Sequence, residues 1–127
     1  MKKILFIILF SLTCLAANAQ DAVNTTSATE CYKLFSTQNM WTFLKLDTRN
    51  GRIWQVQFTV KDDANYRYQA VLSEIKRVLP SEEQNNRFTL YPTQNMYNFI
   101  LLDQIDGRCW QVQWASGGNP AFVIPIE

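Results

Sequence analysis

Residues 34–57 read LFSTQNMWTFLKLDTRNGRIWQVQ, and residues 90–113 read LYPTQNMYNFILLDQIDGRCWQVQ. The offset is a constant 56 residues without a gap, and 14 of the 24 aligned pairs are identical. One supersecondary unit is therefore used twice. In each copy a turn dipeptide, Asn50-Gly51 or Asp106-Gly107, separates two apolar runs, the signature of a hairpin whose turn needs a positive φ. The run after each glycine alternates with period two, as a strand does. Trp54, Val56 and Phe58 fall on one face and Gln55 and Gln57 on the other, matched by Trp110, Val112 and Trp114 against Gln111 and Gln113.

Outward from these hairpins, strands are predicted over residues 32–35, 41–47 and 52–59 of the first copy, and over 88–91, 97–103 and 108–115 of the second. The corner between the first two strands is Thr-Gln-Asn-Met in both copies. Residues 66–79 carry two signals. Tyr68, Val71, Leu72, Ile75, Val78 and Leu79 form a helical stripe. The matching segment of the second copy holds Pro120 and Pro125, which fit an extended edge strand. The repeat favours a strand over 66–73, with 81–86 as a polar linker. The predicted fold is all-β: two tandem antiparallel meander repeats of three to four strands each, packed with approximate two-fold symmetry as a small sandwich or barrel. Its core is expected around Trp54, Trp110, Phe43 and Phe99, with the glutamine sides outward.

The chain begins with a basic pair, Lys2 and Lys3, an apolar run over 4–15 and a small-x-small site at Ala17-Asn18-Ala19. These are the parts of a secretory signal peptide over 1–19, so an exported protein, periplasmic or extracellular, is expected. The apolar run is too short for a spanning helix, and no transmembrane segment is predicted. Residues 20–30 read as a flexible polar leader. Residues 31–127 then form one β domain made of two repeats, 31–80 and 87–127. The 108 residues left after removal of residues 1–19 suffice for one shared core but not for two independent ones.

Composition excludes several functions. The chain has 12 basic and 11 acidic residues, and loss of Lys2 and Lys3 would leave 10 against 11. No basic patch points to nucleic acid. The chain contains no histidine, which removes the commonest general base and metal ligand, and neither a metal nor another cofactor is predicted. Cys31 and Cys109 can pair in an exported chain, although Cys109 stands where the first copy has Ile53 and equally suits a small buried thiol.

The candidate binding residues are those kept in both copies. Gln55, Gln57, Gln111 and Gln113 are read as amide ladders able to meet sugar hydroxyls or an added peptide strand. At the corners, Gln38, Asn39, Gln94 and Asn95 are candidate contacts, with Trp41 and Tyr97 beside them as aromatic platforms. A demanding turn in which the asparagines bond the backbone explains the same identity. Asp47 and Asp103 resemble an acid and base pair, yet aspartate at a turn entrance also caps backbone N–H groups. Arg52 and Arg108 share a face with Trp54 and Trp110 and are expected to lie over the indoles. The reading that follows is a non-catalytic binding module for a glycan or protein segment. The alternatives are a periplasmic inhibitor or immunity-type protein capping an enzyme, and a small hydrolase using the paired aspartates.

The unit TQNM-x-x-F-x-x-L-D-x-x-x-G-R-x-W-Q-V-Q resembles a group of uncharacterised small exported bacterial proteins, over roughly residues 32–127; the resemblance implies no activity. Residues 46–51 and 102–107 are also similar to the L-D-x-x-T-G half of the blade motif of quinoprotein dehydrogenase propellers. That family's tryptophan follows the glycine by four residues and here by three, which turns the side chain to the other face of the strand. Two units cannot close such a propeller, so no cofactor or catalytic residue is implied.

Overall fold

The computed structural model describes residues 30–127. The expected signal peptide, and the expected leader up to residue 29, lie outside the described residues. The first copy forms β1 (Tyr32–Ser36), β2 (Thr42–Asp47), β3 (Ile53–Gln57) and β4 (Tyr68–Ser73); the second forms β5 (Phe88–Pro92), β6 (Asn98–Asp103), β7 (Cys109–Gln113) and β8 (Phe122–Ile126). Each copy is an antiparallel four-stranded meander, in order β1-β2-β3-β4 and β5-β6-β7-β8. The protein is thus an all-β sandwich of two repeats and not a closed barrel. Residues 68–73 pair with β3 rather than forming a helix, after a short 3-10 turn at Ala64–Tyr66. The helical stripe yields to the ladder, because β3 without β4 would leave a row of backbone groups unpaired.

The hairpin glycines take the positive φ that the dipeptides predict, 82° at Gly51 and 81° at Gly107. Asn50 and Asp106 do not share it, so the loops are longer than a two-residue turn. Gly51 N–H and Gly107 N–H donate to the carbonyls of Asp47 and Asp103, both at 2.9 Å.

The repeat does not predict which faces meet. In the first sheet Leu44, Leu46, Ile53 and Gln55 point into the sandwich, while Phe43, Lys45, Trp54 and Val56 share the outer face. In the second sheet the assignment is reversed. Phe99, Leu101, Trp110 and Val112 are buried, while Ile100, Leu102, Cys109 and Gln111 lie on the outer face. A two-fold axis would bury equivalent faces of both copies. Instead the sheets stack front to back, the glutamine face of the first on the tryptophan face of the second. The expected core around both indoles is corrected accordingly. Trp110 belongs to the shared core with Leu44, Leu46, Ile53, Phe88 and Leu101, whereas Trp54 lies outside it.

One pair of residues records the reason. The position filled by Leu101 in the core holds Lys45 in the first copy, where its ammonium lies 4.6 Å from the Trp54 ring. A lysine can cover an indole with its stem and keep its charge in water, but is costly to bury. The connection between the sheets is tied down by Phe88 N–H donating to Thr48 O at 2.8 Å and Arg77 N–H donating to Asn50 O at 2.9 Å. At the opposite end the Gln55 amide spans the sandwich: Nε2 donates to Ala115 O and Ala115 N–H donates to Oε1, each at 3.0 Å.

Candidate functional site

The corner residues repeat because the turn uses them. Thr37 Oγ1 accepts from Asn39 N–H and donates to Thr42 O at 2.8 Å, and Asn39 Oδ1 accepts from Trp41 N–H at 2.9 Å. Thr93, Asn95 and Tyr97 reproduce the same bonds. Threonine and asparagine are therefore retained for the turn, whereas Gln38 and Gln94 point into solvent. The two corners lie side by side and share a shallow cleft of about 190 Å³.

The hairpin aspartates are wholly buried and held by arginines. Asp47 accepts from Arg49 (2.8 Å), Arg52 (3.1 Å) and Asn50 Nδ2 (3.1 Å). Asp103 accepts from Arg87 Nε and Nη2 at 2.9–3.1 Å, with Arg108 3.6 Å away. Burial alone would raise both carboxyls. The arginine hydrogen bonds, backbone N–H groups and attraction outweigh it and hold both below the usual carboxylate range. Both act as ionised anchors of their turns, the capping role that turn chemistry offers. Arg52 and Arg108 lie over Trp54 and Trp110 as expected, each 5.2 Å from the ring.

The polar cleft that remains lies between the sheets at the corner end. Its volume is about 210 Å³, and Asn39, Thr42, Gln55, Gln57, Tyr66, Tyr68, Trp114 and Ala115 contribute to its wall. A second cleft of about 250 Å³ shares Gln57 and Tyr66 with it, but its Trp41 and Phe58 stand on the outer-face side of the first sheet, with Lys61 beside them. Trp41 is fixed edge-on against Phe58 at 5.4 Å. Gln57 Oε1 accepts from Thr42 Oγ1 at 2.8 Å, which turns its Nε2 donor outward. Among the described residues, that Nε2 and the hydroxyls of Tyr66 and Tyr68 meet no hydrogen-bonding partner, and all three residues line the cleft.

Of the residues singled out in the sequence, the clefts bring together Asn39, Trp41, Gln55 and Gln57. Gln55 is committed to Ala115 and shapes the floor. Gln111 and Gln113 lie on the far side of the second sheet, where Gln111 Nε2 donates to Asn98 Oδ1 at 2.7 Å and Gln113 Nε2 donates to Pro120 O at 3.0 Å. The four glutamines are thus not one surface, because the front-to-back stack turns one ladder inward and the other outward. Tyr97 packs on Trp114, with ring centres 5.1 Å apart, and lines neither of these two clefts. Cys31 and Cys109 do not bond to each other. Cys31 precedes β1 of the first sheet, and Cys109 lies on the outer face of the second. Tyr66 and Tyr68 escape a reading by repeats because the loop before β4 differs in length and sequence from the loop before β8, and Phe122 stands where the first copy has Tyr68.

Among the described residues no helix is long and apolar enough to cross a membrane, and no acidic, cysteine or histidine cluster could hold a metal ion. The chain matches no protein-family model, and no curated protein or solved structure is similar to it.

Proposed function

We propose that the protein is an exported, non-catalytic binding module whose ligand is a short glycan held at the corner end, at the Gln57 and Tyr66 edge that the two clefts share. The observation that carries this reading is the proximity of unspent donors and acceptors (Gln57 Nε2, Tyr66 and Tyr68 hydroxyls) to the exposed rings of Phe58 and Tyr66 and the half-buried Trp41. Sugars present hydroxyls at their rims and C–H groups on their faces, so a site needs amide or hydroxyl partners beside a ring. A role without catalysis is supported by the two aspartates, whose charges are already occupied by arginines. A protein segment is the second reading: β4 is an edge strand, and its first residue, Tyr68, lines the same cleft.

Trp41 sits in the site, so fluorescence titration against a panel of oligosaccharides reports binding directly. Tyr68→Ala is expected to weaken that binding at least roughly tenfold without lowering the melting temperature, since Tyr68 is exposed. Gln57→Ala is expected to weaken it as well, with some loss of stability because it removes the acceptor of the buried Thr42 hydroxyl. Absence of any glycan response, or binding indifferent to both substitutions, refutes the glycan site. A response to peptides alone favours strand addition at β4.

A further inference from the structure

The front-to-back stack leaves each molecule with one unused copy of both faces that meet in its interior. The outer face of the first sheet is the homologue of the buried face of the second. The outer face of the second sheet is the homologue of the buried face of the first. Residue exposure makes the comparison concrete: Leu34 is 62% exposed where Leu90 is 2%, Tyr32 is 49% where Phe88 is 1%, and Phe58 is 40% where Trp114 is 2%. On the far side, Ile100, Leu102 and Cys109 occupy the positions of Leu44, Leu46 and Ile53, all three of which are fully buried. Contiguous apolar surface of this kind marks an interaction site.

We infer that these two faces bind each other between copies of this chain, the tryptophan face of one molecule on the glutamine face of the next. The occupant follows from the molecule's own interior, where the same two surface types already form an interface. The polar clasp has its counterpart as well. Gln55 reaches across to the backbone of Ala115, and the equivalent pair at the free ends is Gln111 and Thr59. Among the described residues no backbone bond engages Thr59, and Gln111 would exchange its bond to Asn98 for the clasp. Such an interface joins unlike faces, so it is head to tail and generates a ring or a filament rather than a closed dimer. Lys45 opposes it. It stands where Leu101 completes the internal interface and is tied to Gln69 on the outer face. The association is therefore weak and reversible.

Sedimentation velocity on the chain across a concentration series tests this. Wild type should form species beyond the dimer, and Lys45→Leu should strengthen association at least roughly tenfold. Val71→Asp on the tryptophan face and Leu102→Glu on the glutamine face should each stop growth. Mixed together, they should restore a one-to-one pair, because each retains the face the other lacks. Should Leu102→Glu fail to fold, Ile126→Glu, half exposed on the same face, replaces it. A chain that stays monomeric even with Lys45→Leu overturns the inference. So does self-association that survives Val71→Asp and Leu102→Glu in the same chain, or a mixture that fails to pair.

Discussion

At Asp47 the carboxylate holds Arg49 and Arg52, and at Asp103 it holds Arg87 with Arg108 nearby. Both carboxyls titrate below their unfolded value of about 3.9. Above that value both states are ionised and the full stabilisation is present. Below it the unfolded chain takes up protons that the folded chain declines, so stability falls as pH drops below about 4 until the folded carboxyls protonate as well. Urea midpoints measured between about pH 6 and pH 3 should trace this loss, and Asp103→Asn should make it less steep. The hairpin glycines offer a second comparison. A Cβ on Gly51 would meet Arg77 Cδ at 3.1 Å and the Phe88 ring at 3.2 Å, whereas one on Gly107 would meet nothing within 4 Å. Both substitutions bear the positive-φ strain of about 1 kcal/mol. Gly107→Ala should cost about that much by denaturant unfolding and Gly51→Ala distinctly more. The dipeptides reveal the φ; the neighbours of each glycine do not, since they come from another part of the chain.

The element scale separates identical residues by what their sheet faces. Gln55 and Gln111 occupy the same place in β3 and β7, yet Gln55 is 5% exposed and joined twice to Ala115, while Gln111 lies on the outer face and bonds Asn98. Replacing Gln55 by leucine removes both hydrogen bonds that tie the sheets together through the Ala115 backbone, a loss of about 0.5–1.5 kcal/mol each. Gln111→Leu should change stability by less than about 0.5 kcal/mol, because water can replace its partner. Thermal or urea unfolding of the two variants distinguishes them. Strand positions followed from alternation and from the turn dipeptides to within one or two residues for most strands. The fourth strand was legible only by comparing copies, because the apolar positions of residues 68–79 fit a helical period as well. The 3-10 turn at Ala64–Tyr66, which carries Tyr66 into the site, belongs to a loop whose sequence the second copy does not repeat.

Across the whole molecule, two tryptophans at one repeat position lead different lives. Trp110 is 8% exposed in the shared core beside Phe88, and Trp54 lies on the outer face under Lys45 and Arg52. Trp110→Ala should cost about 3–5 kcal/mol, the usual penalty for emptying an aromatic site. Trp54→Ala should cost clearly less, since part of its surface is already in water. Comparing the unfolding midpoints of these variants tests the stacking order directly. The amino-acid sequence by itself determined the strands, the hairpins, the corner turns and the existence of two like sheets, because these depend on period, turn chemistry and self-similarity within short stretches. Which faces meet was decided only by tertiary structure. The physical reason is that both faces of the unit are apolar enough to bury, so alternation cannot choose between them. The choice rests on single differences between the copies, Lys45 against Leu101 above all, and on how the chain returns from Ser73 to Phe88. The polar cleft depends on that choice too, since it exists only where the glutamine face of one sheet meets the edge of the other.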